Sequence, residues 1–322
     1  MKVCIVTEGT AKTGYGHLTR CLAIYQGFEE KNIAPTFIAN CDEDGKQVLE
    51  NIQIENFDWI GETSQLLRMI HGSDIIIIDS YLAELALYEK ISKVSKKCVY
   101  LDDTLRLQYP PGVIINGAVG AEDLDYQKYY HHQLLLGLEY ASLRKVFWDI
   151  PGRKRIGSIA NVLVAIGATD TLGITFKLLE ELCKISPSMV FHVILGYEDY
   201  YCEKKKSYYP EPNILFYHLL NAAEMCELMQ KCHIAISAAG QTTYELARVG
   251  TKMILIKVAE NQKHNLSGWM NLGYIDKYLM STETLKITKI LKDFMSENRP
   301  APPRISGNGV RNIIQALTAG SS

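Results

Sequence analysis

The sequence predicts an α/β protein of two doubly wound domains, each a parallel sheet with helices on both faces. Three observations carry that expectation. Apolar runs rich in valine and isoleucine, such as Ile75–Ile76–Ile77–Ile78, alternate with segments of helical period. Strands buried on both faces of a parallel sheet read this way. The chain has 322 residues, room for about two domains. The alternation breaks at Asp149–Gly157, where a proline, two glycines and three basic residues read as a linker, and then restarts. The expected domains are therefore residues 1–154 and 155–322.

Taken in order, Lys2–Thr7 is the first strand. His17–Lys31 is a helix, because Leu18, Cys21, Leu22, Ile24, Tyr25 and Phe28 recur at roughly helical spacing. Pro35–Ala39 is a strand, Thr63–Ile70 a helix, Asp74–Asp79 a strand, Ala83–Ser92 a helix and Lys97–Leu101 a strand. Val113–Ile115 and Gln133–Leu136 are shorter apolar pieces. Beyond the linker, strands are expected at Asn161–Ile166, Met189–Leu195, Asn213–Tyr217, His233–Ser237 and Lys252–Val258. Helices are expected at Thr171–Ile185, Ala222–Lys231, Thr243–Val249, His264–Leu272 and Thr282–Met295. After a proline-rich break at Arg299–Pro303, Asn308–Ala319 is a last helix that fits against either domain. Two doubly wound domains with a cleft between them satisfy this pattern most economically.

Composition narrows the function classes. Apolar content of 47% and charged content of 22% are ordinary for a globular chain. A net charge of −2 argues against nucleic acid or an anionic membrane surface as partner. The basic clusters Arg153–Lys154–Arg155 and Lys204–Lys205–Lys206 are short and read as solvated surface or linker. No apolar run reaches the roughly 18 residues that span a bilayer, and Met1–Thr7 reads as a strand rather than a signal peptide. The eight cysteines form no Cys-x-x-Cys pair and read as reduced thiols of a cytoplasmic protein. No segment has metal-ligand spacing, so neither a metal nor a cofactor is expected. His131–His132 reads as a surface pair.

The chemistry collects where strands end. In open parallel sheets, ligands bind beyond the carboxyl ends of the strands. Gly14–Tyr15–Gly16–His17 follows the first strand, Asp79–Ser80–Tyr81 a later one, and Asp102–Asp103–Thr104 the next. In the second half Gly167–Ala168–Thr169–Asp170, Ala239–Gly240–Gln241–Thr242 and Glu260–Asn261–Gln262 stand at equivalent places. Each alone also has a turn or cap reading.

The stretch Ile234–Glu245 is the most informative. An apolar run stops at small residues, Gly240 permits a tight turn, and Gln241, Thr242 and Thr243 open a helix closed by Gly250. The first N–H groups of such a helix attract anions, which makes a cradle for a diphosphate. Glu245, just inside the helix, is placed to accept hydrogen bonds from a ribose diol. An ordinary strand-to-helix turn, with Glu245 favoured by the helix dipole, reads equally well from these residues. Gly14-x-Gly16 begins like a dinucleotide fingerprint, but no third glycine follows and the loop from Glu8 is too long, which removes a nicotinamide or flavin site. What remains is a glycine loop carrying His17 to a helix N-terminus. The dipole there lowers a histidine's pKa and leaves a neutral imidazole, the form a general base needs. A cap or packing role for His17 stays open on the same residues. Arg20, one turn on, reads as a structural ion-pair partner.

At this point the motifs resemble a known family. Gly-x-Gly-His-x-x-Arg-Cys at 14–21, Asp79–Ser80–Tyr81, Asp102–Asp103, Leu136–Gly137 with Tyr140–Arg144, Gly240–Glu245, Glu260–Asn261–Gln262 and Ile305–Arg311 stand in the order seen in the UDP-2,4-diacetamido-2,4,6-trideoxy-β-L-altropyranose hydrolases of pseudaminic acid biosynthesis and the related spore-coat polysaccharide proteins. The resemblance covers nearly the whole chain. It implies a glycosyltransferase-B fold with the nucleotide held mainly by the second domain. It also implies metal-independent attack of water at the anomeric carbon, with UDP leaving. Within it, His17 matches the base, Tyr81 and Asn261 match residues near the sugar, and Gly240, Gln241, Thr242, Thr243 and Glu245 match the nucleotide side. Gly14, Gly16, Arg20, Asp79, Gly167, Asp170 and Gln262 complete the expected substrate-binding set. The implied partner is a UDP-sugar and the implied assembly a monomer or weak homodimer. The chain departs from the family pattern at Ala86, where an acidic residue is usual and Glu84 is the nearest substitute, at Ala168 within the usual Gly-Gly-x-Asp, and at Gln241 in place of serine. A glycosyltransferase using the same donor is the alternative.

Overall fold

A computed structural model describes residues 1–49, 52–151, 161–167, 170, 172–182, 184–185, 189–195, 212–218, 220–296 and 303–319. The expected boundary at 154/155, both basic clusters, Cys183, Cys202, Ala168 and Thr169 lie outside the described residues. The chain divides into two compact units, Met1–Trp148 with Ser306–Ser322, and Asp149–Ile305. The division therefore falls at the start of the expected linker, and the C-terminal segment joins the first unit.

Among the described residues the first unit carries a seven-stranded parallel sheet in the order β3-β2-β1-β4-β5-β6-β7. Its strands are β1 (Val3–Gly9), β2 (Thr36–Cys41), β3 (Ile54–Asn56), β4 (Ser73–Asp79), β5 (Ser95–Leu101), β6 (Val113–Asn116) and β7 (Gln133–Leu136). The helices between them are α1 (Gly16–Glu30), α2 (Glu43–Val48), α3 (Thr63–Ile70) and α4 (Leu85–Ser92). The second unit has strands β8 (Asn161–Ala165), β9 (Val190–Leu195), β10 (Ile214–His218), β11 (Ile234–Ala238), β12 (Lys252–Lys257) and β13 (Leu279–Met280), ordered β10-β9-β8-β11-β12-β13 and again parallel. Its helices are α5 (Ile174–Leu182), α6 (Ala222–Lys231), α7 (Thr242–Val249), α8 (Lys263–Asn271) and α9 (Ile287–Ser296).

The near-continuous apolar runs are explained by position. Every residue of β1 is buried, and so are all but one of β4, because these two central strands have helices over both faces. The strand order reverses between β1 and β4 in the first sheet and between β8 and β11 in the second. Those two points are where the carboxyl ends leave room for a ligand. Register there is set by Thr7 opposite Asp79 and by Ser237 opposite Ala165.

The boundaries shift where hydropathy and backbone pairing part company. β1 continues past Thr7 through Glu8 and Gly9, because its ladder with β2 runs on to Asn40 and Cys41. β3 and α2 are short and largely exposed or half-exposed, so they carry too little apolar pattern to be read from sequence. The helix expected from Thr282 begins at Ile287 after a single 3₁₀ turn, Thr284–Lys286.

The last helix, α10 (Gly309–Thr318), docks on α1. Arg311 reaches Glu30 at 2.8 Å and lies over the Trp148 ring, and Asn312 donates to the Glu139 carbonyl at 2.8 Å. The crossing is close because α1 has a glycine at the contact. A Cβ on Gly27 would lie 2.4 Å from Val310 Cγ1 and 2.8 Å from Ile314 Cγ1. Gly27→Leu should therefore destabilise the fold by about 1–3 kcal/mol through overpacking. Urea denaturation followed by circular dichroism checks this, and an unchanged midpoint would contradict the docking.

Candidate active site

At the β1/β4 switch point a set of charged side chains is assembled from separate parts of the first unit. β1 supplies Glu8 near its end, α1 supplies His17 and Arg20, and the loops after β4 and β5 supply Tyr81 and Asp103. Gly14 takes φ +82°, in the left-handed region that favours glycine, and this turns the loop into α1. The loop is closed by Gly14 N–H donating to the Thr10 carbonyl at 2.8 Å, while Tyr15 Oη and Ala11 N–H both reach Asp42. Gly16 opens the helix, so His17 stands in its first turn.

Arg20 holds this cluster. Its guanidinium grips Asp79 with two donors, Nε and Nη2, the latter at 2.6 Å, and reaches Asp103 through Nη1 at 2.9 Å. Asp79 is fully buried. Burial works against the Arg20 charge, but Asp79 and Asp103 outweigh it and hold its pKa well above the ordinary value. Burial likewise works against the Asp103 charge, and Arg20 with the Tyr81 hydroxyl overcomes it, so Asp103 stays below the usual carboxylate range. Tyr81 donates its hydroxyl to Asp103 and its backbone N–H to Glu8 at 2.9 Å. Its ring meets His17 edge-on, with centroids 4.4 Å apart. Arg106 braces the same loop by donating to the carbonyls of Ser80 and Ala83.

His17 is 17% exposed, and its Nδ1 lies 3.6 Å from Asp79 Oδ1 and 3.9 Å from Glu8 Oε1. Its pKa is lowered, as expected at a helix N-terminus, but burial is the chief cause, with Arg20 adding to it and Asp79 opposing it. Asp102 is separated from Asp103. It is buried, and its Oδ1 accepts the N–H groups of Thr104 and Arg106. Glu8 is the residue that sequence reasoning misses. It is 3% exposed, and burial together with Asp79 pushes its carboxyl up to about 7. Ser80 and the N–H groups of Tyr81 and Leu82 favour its carboxylate form without cancelling burial. Its only signal in the sequence is a lone acid closing an apolar strand, which reads as the first residue of a loop.

In the second unit the expected residues divide into two groups. Gly167 takes φ +122° after β8, and a Cβ there would meet nothing within 4 Å. Gly240 is equally open but does not have a left-handed φ, so its glycine is explained by free space outside the turn. Gln241 and Thr242 are half-buried at the start of α7, and Asn261 is exposed on the 3₁₀ turn Glu260–Gln262. The others brace the scaffold. Asp170 accepts the N–H groups of Ile174 and Thr175 at 2.8 and 2.6 Å, which caps α5. Thr243 is fully buried, donating to the Gly240 carbonyl at 2.7 Å and accepting from Trp269 Nε1 at 3.0 Å. Gln262 Oε1 accepts the Val258 N–H at 2.9 Å. Glu245 is buried in the first turn of α7, 3% exposed. Among the described residues no three His, Cys, Asp or Glu side chains converge with metal-ligand geometry.

Two doubly wound units of this topology in one chain define a glycosyltransferase-B fold. No protein-family model matches the sequence. The chain is 28% identical over 304 residues to a Helicobacter pylori protein described as pseudaminic acid cytidylyltransferase and UDP-2,4-diacetamido-2,4,6-trideoxy-beta-L-altropyranose hydrolase, covering 90% of this chain and 52% of that one. It is 26% identical over 336 residues to an uncharacterised protein of Methanocaldococcus jannaschii, covering 99% of this chain and 66% of that one. The chain thus spans between about half and two thirds of these relatives. Among solved structures, the Methanocaldococcus jannaschii UDP-GlcNAc 2-epimerase in complex with UDP-GlcNAc and UDP superposes with a TM-score of 0.63 at 12% identity, covering 99% of this chain and 100% of that one.

The Glu8 carboxyl makes a signed prediction about stability. Its folded pKa of about 7 lies above the ordinary 4.5, so the folded chain keeps a proton that the unfolded chain releases. Glu8 therefore costs stability as pH rises from about 4.5 through about 7. Glu8→Gln should gain up to about 3 kcal/mol relative to wild type between pH 4.5 and pH 8. Paired urea melts at both pH values check this, and a constant difference would contradict it.

Proposed function

We propose that this chain hydrolyses a UDP-activated amino sugar of the 2,4-diacetamido-2,4,6-trideoxy-altropyranose class, releasing free sugar and UDP. One observation carries the reading. His17 is a half-buried imidazole of lowered pKa, with Nδ1 turned toward two carboxylates and no partner on Nε2 among the described residues. That is the arrangement of a general base. The Helicobacter pylori relative, named in part for such a hydrolysis, supports the substrate class.

In this reaction Nε2 takes a proton from water as its oxygen bonds to the anomeric carbon. The bond from that carbon to the diphosphate oxygen breaks, and its electron pair leaves with UDP. The first N–H groups of α7 and the open face at Gly240 receive the diphosphate, and the helix end stabilises the charge that develops there. Tyr81, edge-on to His17, is the sugar-side residue of the first unit in this reading.

Turnover of the UDP-sugar in oxygen-18 water, followed by mass spectrometry, tests the bond broken. Label in the free sugar is the expected outcome; label in the phosphate, or turnover that requires an alcohol acceptor, would replace hydrolysis with another reaction. His17→Gln should lower kcat by roughly 10²–10⁴-fold while UDP still binds. Gly240→Val should fold normally, since no protein atom meets the added Cβ, and should weaken UDP binding by about tenfold or more in calorimetry. Unchanged affinity would remove this loop from the nucleotide site.

A further inference from the structure

We propose that Glu8 is a positioning residue that sets the tautomer of His17, placing the proton on Nδ1 and leaving Nε2 as the basic nitrogen. The inference rests on the hydrolase reading only in making His17 the base; the tautomer itself is a property of the protein without substrate.

Two carboxylates face Nδ1, and they differ in what else they hold. Asp79 Oδ1 is the nearer at 3.6 Å, but it also accepts Arg20 Nη2 at 2.6 Å, and Asp79 Oδ2 accepts Arg20 Nε. The negative charge of Asp79 is thus shared with a guanidinium. Glu8 lies at 3.9 Å, and His17 is its one ion-pair partner among the described residues. Its Oε1 is anchored by the Tyr81 N–H at 2.9 Å, and its Oε2 is buried with no partner in hydrogen-bond geometry. The Glu8 oxygen nearest Nδ1 is Oε1, which has a second lone pair beside the one that takes the Tyr81 N–H, and no guanidinium shares its charge. The Tyr81 ring, edge-on at 4.4 Å, restricts how the imidazole turns. The nitrogen that carries the proton in a neutral histidine is decided by the partner of the other nitrogen.

Both states of Glu8 follow from this geometry. As a carboxylate it draws the imidazole proton to Nδ1, and Nε2 is left with a lone pair for water. As a carboxylic acid, with Oε1 still accepting the Tyr81 N–H and the proton on Oε2, it loses the charge that holds the ring proton at Nδ1, and that proton moves to Nε2, where it blocks base catalysis. The other titratable groups around Glu8 are Asp79 at the end of β4, Tyr81 just after it, Cys21 on α1 and Tyr88 on α4. Burial holds the Cys21 and Tyr88 protons in place well above neutral pH. With Glu8 pushed up to about 7, the change falls at neutrality.

Glu8→Gln separates this role from a merely structural one. The amide carbonyl of the introduced glutamine takes the place of Oε1 and still accepts the Tyr81 N–H, while the charge beside Nδ1 is lost. Nitrogen-15 NMR of histidine-labelled protein at pH 8, with the His17 signals assigned from a His17→Gln control, reads the tautomer directly. The expected result is the Nδ1–H form in wild type and in Glu8→Asp, and the Nε2–H form in Glu8→Gln. With it, kcat should fall by about 100-fold or more at unchanged UDP affinity, and the limb of the pH profile that rises through about 7 should disappear. Wild type in the Nε2–H form, or Glu8→Gln retaining Nδ1–H, would overturn the proposal. If the tautomer follows Glu8 but no UDP-sugar is hydrolysed, the hydrolase reading fails and the positioning role stands. If hydrolysis needs His17 yet is indifferent to Glu8, the reverse holds.

Discussion

The Arg20 guanidinium, held between Asp79 and Asp103, is the interaction on which the first unit's site depends. Asp79 ends an apolar strand and has no solvent contact, so its charge is tolerable only because a planar donor grips both oxygens. The same guanidinium fixes Asp103, which takes the Tyr81 hydroxyl, and Tyr81 in turn anchors Glu8 and packs against His17. Losing one partner of such a buried pair costs about 3–5 kcal/mol. A lysine presents a single ammonium and does not reproduce the two-carboxylate grip.

The second unit uses a different device. Its polar residues at the switch point mostly tie the local scaffold together, leaving a few positions bare. Asp170 caps α5, Thr243 joins Gly240 to Trp269, and Tyr244 donates to Asn265, which donates to the Ala239 carbonyl. The loop between β11 and α7 is thereby held from behind. What it presents outward is glycine and the start of a helix, which suits a phosphate recognised by backbone N–H groups.

The two halves of the chain therefore divide charge and shape. The first unit keeps acids, an imidazole and a guanidinium buried together, where burial governs protonation. Burial lowers His17 and raises Glu8. Groups shifted by burial beside specific charge partners mark candidate acid–base sites. The second unit supplies little side-chain charge at its switch point among the described residues.

The architecture was legible along the chain, because a buried parallel strand and an amphipathic helix differ in period whatever surrounds them. The runs Ile75–Ile78 and Ile234–Ala238, the restart after Asp149 and the stop at Gly250 are all visible in the residue order. So are the places where chemistry gathers, since Gly14, His17, Asp79 and Gly240 each follow an apolar run. Which of these residues face outward was settled by packing in three dimensions. Asp170 and Thr243 look like ligand groups in a linear motif, yet their hydrogen bonds go to neighbouring backbone and side chains. Glu8 looks like a loop residue until the β1–β2 ladder carries it into the sheet beside Asp79. The assignment of the last helix to the first unit was likewise invisible, because it depends on a missing side chain at Gly27 far away in sequence. Local periodicity is a property of neighbours along the chain; protonation, capping and docking are set by neighbours in space.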